Sequence, residues 1–410
     1  MTESDVIRFV SDGFDKAKGG DAVNTYSVVA GIHDQGRLPL KSHYPFGWII
    51  YYALHQSSQK DIIARKNMLA RYFKLRVATP HKLHSMVLTE ALRLYKDAKD
   101  VAYGKRKEET VGFSIVNFMK LWGLANLRPG DWRRKEHDGK TLSSTTEKLI
   151  THCTDELVST KSLPSEEFRI ILNKALTDYP ESFNLHAQIA ELLLLDGKGD
   201  EAASMLKRAL LLAPGKFYLW SRLAATVDVN VDSHLKVSFL YKALTSPGPD
   251  QFKGKVRLAL ADVLVKRRAF GLALWELQKV KALYESNGWH LSNLFQELLC
   301  AVPAGTVPEN PEGAYRKVAP LADEKLFSEL PDIEVTKTYH KVPGANERTG
   351  KDNFGRPAIA WRVTDTSGKN YWLQPHRFNL HPELPMGTRI AIKAFGGKVV
   401  KARRLAEKRN

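Results

Sequence analysis

The clearest pattern in the chain is a recurrence of small and large apolar positions every 34 residues. Lys174-Ala175-Leu176, Arg208-Ala209-Leu210 and Lys242-Ala243-Leu244 share that step, as do Leu172, Leu206 and Leu240, and Pro180 and Pro214. Within each period the apolar residues fall at helical spacing, so the pattern predicts pairs of helices stacked in series. After Pro247, Gly248 and Pro249, the residues Leu260-Ala261, Leu264, Ala273, Leu277 and Val280 continue it. Upstream, helical periodicity covers roughly 45–56, 60–76, 82–98 and 113–125, broken at Pro39, Pro45, Pro80 and Pro129-Gly130, without a clean repeat. The three prolines of 301–313 mark a boundary. Beyond residue 330 the period drops towards two. The stretches 333–342, 357–365, 369–375, 388–395 and 397–405 are short, rich in β-branched or aromatic residues, and separated by turn chemistry such as Asp365-Thr366-Ser367-Gly368 and Gly396-Gly397.

The expected fold class is therefore multidomain α plus β: a mainly helical solenoid followed by a small five-stranded barrel, oligonucleotide-binding-like (OB-like) or SH3-like. The predicted divisions are divergent helical repeats over 1–140, regular repeats over 141–300, a linker over 301–330 and the barrel over 331–405.

At Ile189-Ala190, Leu193, Gly197, Ala202, Leu206, Ala209 and Pro214, and again at Trp220, Leu223-Ala224 and Ala243, the chain resembles the tetratricopeptide repeat. In that family small residues let the paired helices approach, and stacked units bury what one pair cannot. The resemblance implies that the first helix of each unit lines a concave groove. It would present Asn184, Ala187, Glu191 and Leu194, then Tyr218, Ser221, Ala225 and Asp228, then Lys255, Leu258, Asp262 and Val265. Such a mildly acidic surface suits a protein partner, with Asn184, Glu191, Tyr218, Asp228 and Asp262 as its contacts.

Strand alternation puts Ile359, Trp361 and Val363 on one face and Ala358, Ala360 and Arg362 on the other, and sets Tyr371 against Trp372. By strand count, charge and aromatic content the segment resembles cold-shock-type oligonucleotide-binding barrels. The combination of helical repeats with such a barrel also resembles proteins of bacterial conflict (anti-phage defence) loci, in phrases such as "YPFGWIIYYAL" and "FMKLWGLANLRPGDW".

Charge sharpens this picture. The net charge is +17, yet residues 141–330 hold 22 basic against 23 acidic side chains. Residues 1–140 hold 24 against 15, and residues 331–410 hold 16 against 7. A neutral middle between two basic ends points to a polyanion at the ends. Single-stranded nucleic acid is held by cations along its phosphates and by rings under its bases. The barrel interleaves Arg356, Trp361, Arg362, Lys369, Tyr371, Trp372, Arg377, Lys393 and Lys398 in that way. RNA is the favoured ligand over DNA, because sequence readers of RNA favour splayed single strands on small β platforms. The basic run Lys60 to Arg76 reads either as an extension of the phosphate track or as a wet helix face.

Enzyme signatures are missing. "GANERTGKD" has five residues between its glycines and Asp352 after the lysine, which breaks the phosphate-loop pattern. His81 and His84 lack a carboxylate or thiol partner for a metal. With Cys153 and Cys300 as the only cysteines, a disulfide framework is excluded. No apolar run reaches the roughly 18 residues of a membrane span, and the amino terminus has no secretion signal, so the chain reads as cytoplasmic. The expectation is a non-catalytic adaptor without metal or cofactor, holding single-stranded RNA or DNA on the barrel and a protein on the solenoid. The alternative is a pure protein scaffold.

Overall fold

A computed structural model describes residues 1–79, 81–103, 112–138, 140–303, 305, 307–341, 359–378 and 380–405. Among them are sixteen α-helices followed by one five-stranded sheet. The chain forms two compact units, Met1–Pro180 with Glu191–Lys198, and Glu181–Ala190 with Gly199–Asn410.

The first unit holds α1 (Glu3–Lys18), α2 (Ala22–Asp34), α3 (His43–Gln56), α4 (Ile62–Tyr72), α5 (Lys82–Tyr103) and α6 (Ile115–Trp122). A hairpin of β1 (Lys135–His137) and β2 (Lys140–Leu142) leads to α7 (Thr145–Thr160) and α8 (Glu166–Asp178). Thr2, Ser114, Ser144 and Ser165 accept the free amides at the starts of α1, α6, α7 and α8. The core is apolar and aromatic, with Phe46, Ile49, Ile50, Leu54, Leu69 and Leu83 buried. Gly47 makes room there: a Cβ would lie 2.7 Å from Leu83 Cδ2.

After α9 (Phe183–Leu195), the second unit continues with α10 (Gly199–Leu212), α11 (Phe217–Ala225), α12 (Ser233–Thr245), α13 (Gly254–Lys266), α14 (Phe270–Ser286) and α15 (Asn293–Ala301). The triplets spaced by 34 fall in α8, α10 and α12, and Ala175, Ala209 and Ala243 are all fully buried. Their lack of bulk is what close helix packing requires.

Residues 301–330 are more than a linker, because they contain α16 (Pro311–Phe327). The prolines that marked a boundary cluster before it, and Pro311 occupies the first helical turn, where no amide is needed. Asn310 Oδ1 accepts Gly313 N at 2.9 Å. Tyr315, Ala322, Leu326 and Phe327 are buried, and α16 packs on α12, where Ser238 Oγ accepts Ala322 N at 2.8 Å and Lys242 reaches Asp323 at 2.9 Å.

The sheet comprises β3 (Ile333–Lys341), β4 (Ala360–Asp365), β5 (Asn370–Leu373), β6 (Arg389–Phe395) and β7 (Lys398–Arg404), within three residues of the expected limits. Its order is β5-β4-β3-β6-β7, antiparallel throughout. Three meandering strands with the fourth returning beside the first form a Greek key, curled into a half-barrel. Asp365 Oδ1 fixes the β4–β5 turn by accepting Ser367 N and Lys369 N, each at 2.9 Å, with Gly368 at φ +84°. Val335, Trp361, Val363, Tyr371, Leu373, Ile390, Ile392 and Ala402 fill the concave side. Among the described residues no helix is long and apolar enough to cross a membrane.

Candidate nucleic-acid interface

The convex side of the sheet carries a row of three side chains on adjacent strands. Tyr339 pairs with Arg362, and Arg362 with Trp372, in the backbone register. The Arg362 guanidinium carbon lies 5.4 Å from the Tyr339 ring centroid. Tyr339 and Trp372 meet edge to face, with centroids 6.4 Å apart and planes at 88°. Both rings are open to solvent, Tyr339 by 45% and Trp372 by 57%.

A bulge in β3 puts Tyr339 in this row. Lys337 pairs with Val363 and Tyr339 with Arg362, so two steps along β3 match one along β4. Without that shift Tyr339 would share Lys337's inward face. Lys337 instead lies inside the half-barrel, 2% exposed, its ammonium 4.4 Å from the Trp361 ring centroid and 2.5 Å from Leu384 O. Burial lowers its pKa from the usual lysine range.

Beside the aromatic row runs a polar one. Thr338 Oγ1 and Thr364 Oγ1 lie 2.9 Å apart, and the Thr364 hydroxyl donates to Asn370 Oδ1 at 2.8 Å. Rings, a guanidinium, hydroxyls and an amide thus share one small convex surface.

The residues expected to bind nucleic acid divide sharply. Arg362 and Trp372 lie in the row, and Lys369 is exposed on the adjoining turn, its ammonium 5.4 Å from the Tyr371 ring centroid. Lys398 is exposed at the start of β7. Trp361 and Tyr371, by contrast, are 0% and 4% exposed and belong to the core; no base can stack on them. Alternation separates two faces without saying which is inside, and here the larger, more apolar set went in. Lys393 is engaged at the junction with α16, donating to Leu330 O and lying 3.8 Å from Asp332. Arg356 lies outside the described residues, as does the side chain of Arg377. The row's third member, Tyr339, was not among the expected contacts.

The half-barrel also touches helices of its own unit. Arg208 of α10 lies 4.4 Å over the Phe395 ring, and Lys207 of the same helix is 3.9 Å from Glu329 in the turn between α16 and β3. Of the expected protein-binding residues in this unit, Asn184 and Asp228 are exposed, and Tyr218 and Asp262 half-buried. Tyr218 donates to Asn184 Oδ1 at 3.5 Å, and Asp262 pairs with Lys266 at 2.7 Å. Ala187 and Leu258, read as groove residues, are buried packing positions. Glu191, half-buried, belongs to the first unit.

No group of three or more His, Cys, Asp or Glu is placed to hold a metal ion among the described residues. Cys153 is buried and its thiol pKa is pushed up by desolvation, the opposite of an activated nucleophile.

Residues 184–322, from α9 into α16, match a family model described as a domain of unknown function (DUF7017). No curated protein matches the chain.

Proposed function

We propose that the protein is a non-catalytic adaptor that binds single-stranded nucleic acid on the convex face of its half-barrel and a protein on its helical part. The observation that carries the first half is the exposed row Tyr339–Arg362–Trp372. Exposed rings flanking a guanidinium are costly to leave bare and fit unstacked bases beside a phosphate. The polar row of Thr338, Thr364 and Asn370 offers partners to a ribose 2′-hydroxyl, which favours RNA over DNA. The Greek-key order supports the OB-like form of barrel over the SH3-like one. The 34-residue spacing of buried alanines supports a tetratricopeptide-like array, a scaffold suited to protein docking. A part in bacterial defence accompanies this reading through the sequence resemblance alone, and a cytoplasmic setting remains an expectation from the sequence.

The test is fluorescence anisotropy of the full chain with labelled oligouridylate and oligodeoxythymidylate at two salt concentrations. Saturable binding that weakens with salt, is tighter for the RNA and is weakened in Trp372→Ala is the expected result. Absence of binding to either strand would move the protein to the class of pure scaffolds.

A further inference from the structure

A cleft of about 480 Å³ opens between α2 and α4 of the first unit. Its floor is Tyr26 and Met68, both buried. The cleft exists because α4 turns Ala64, Asn67 and Ala70 towards it, short side chains at a three-residue step that leave the space between the helices unfilled. Exposed Val23 of α2 lines the other wall.

The charges around the cleft are not equivalent. Arg71 is neutralised: it donates through Nε and Nη2 to Asp34 and through Nη1 to the Tyr26 hydroxyl, so it braces the wall. Lys74, one turn further on, lines the cleft and has no ion pair among the described residues. Exposed Lys60 and Arg76 precede and follow α4 with only Asp61 to oppose them, while Lys66 on α4 donates to Gly112 O at 3.3 Å and Arg65 is buried on Asp97 at 2.6 Å. An apolar floor under a surplus of cations selects a ligand that is itself apolar on one side and acidic on the other. A nucleic acid would leave the floor unfilled. A basic or neutral peptide would leave the cations unpaired.

We propose that this cleft docks an acidic amphipathic segment of a partner protein, with apolar side chains on Tyr26 and Met68 and carboxylates at Lys74 and its neighbours. At 11 residues, α4 gives about 16 Å of wall, enough for about three turns of a docked helix. The inference rests on the helical part being the protein-docking part, and is independent of what the half-barrel binds.

The probe is a fluorescein-labelled peptide of alternating Glu and Leu pairs, compared with its Lys-for-Glu counterpart, titrated into the full chain. The expected result is at least tenfold tighter binding of the acidic peptide, abolished by Ala70→Trp and weakened about tenfold by Lys74→Glu. Ala70 is exposed on a helix, so the tryptophan fills the cleft without entering the core, and an unchanged melting temperature confirms it. Equal binding of both peptides, or no binding of the acidic one, overturns the proposal. Binding that survives Ala70→Trp but is lost in Tyr218→Ala also overturns it, while keeping protein docking and moving it to α11.

Discussion

Lys337 and Tyr339 lie two residues apart on β3 yet project to opposite faces of the sheet. A regular strand would place them on the same face. The bulge between them sends the Lys337 ammonium onto Trp361 inside and the Tyr339 ring beside Arg362 outside. One irregularity therefore completes both the core and the surface row, while the regular β4–β5 register divides the two tryptophans by role, Trp361 inside and Trp372 outside.

Trp372→Ala removes a ring that is mostly in solvent. We expect it to lower affinity for single-stranded RNA by about 1–3 kcal/mol, roughly 5- to 150-fold, with little change in stability. Trp361→Ala empties the core of the half-barrel and is expected to cost about 3–5 kcal/mol of folding stability. Anisotropy titrations alongside thermal melts separate the two. A Trp372→Ala protein that binds as the parent does would remove the row from the binding surface.

The cations divide in the same manner. Replacing Arg362 or Lys398 by alanine should reduce the slope of log affinity against log salt by about 0.7 each, as one released counterion per lost phosphate contact requires on a single strand. Lys393→Ala should leave that slope unchanged, because its ammonium is committed to Leu330 O and Asp332. Its effect should show in the melting of the half-barrel instead. A salt slope that moves with Lys393 and stays fixed with Lys398 would place the strand over the junction of β6 with α16 rather than at the start of β7.

Much of this arrangement can be read from the residues, up to the point where pairing decides it. The 34-residue step needs only local apolar spacing, and Ala175, Ala209 and Ala243 are buried as that spacing requires. Strand limits were legible from turn residues such as Asp365 and Gly368. The side of the sheet that faces inward was not, since alternation is symmetric and Trp361 looks as good a platform as Trp372. Tyr339 was invisible because a bulge is a property of two strands together. The helix α16 was hidden by prolines, although Pro311 at a helix start and Pro320 on a helix are tolerated here. Arg65 falls in the basic run that reads either as a phosphate track or as a wet helix face, and fits neither: its position three residues after Ile62 and four before Leu69 puts it on the inner face of α4.

That buried arginine yields a stability prediction. Arg65 is wholly inaccessible, paired to Asp97 through Nη1 at 2.6 Å, with Nε and Nη2 lacking a hydrogen-bond partner among the described residues. Asp97→Ala would strand a buried charge and is expected to cost about 3–5 kcal/mol. The double change Arg65→Met with Asp97→Leu should cost much less, because it removes both desolvated groups and keeps apolar volume. Urea denaturation of the three proteins decides this. If the double variant is the least stable, the pair supports the fold beyond cancelling its own desolvation.

His84 supplies the last prediction, a dependence of stability on pH. Its ring is 3% exposed, edge-on to Tyr72 at 5.8 Å and to Trp122 at 5.6 Å, and its Nδ1 has no hydrogen-bond partner among the described residues. Burial, aided by the neighbouring His81 and opposed by Asp131, lowers its pKa to about 4. In the unfolded chain the same group takes its proton near 6.5. Between those values the unfolded state holds a proton that the folded state refuses, so stability is complete above pH of about 6.5 and falls as the pH drops towards 4. The slope is at most about 1.4 kcal/mol per pH unit from this residue. His43, His152 and His186 are lowered by burial too, and add to the same trend. His84→Leu, which keeps the site filled and cannot titrate, should flatten the unfolding free energy against pH between 4.5 and 6 by up to that slope. An unchanged slope in His84→Leu would mean that the ring is already protonated in the folded protein.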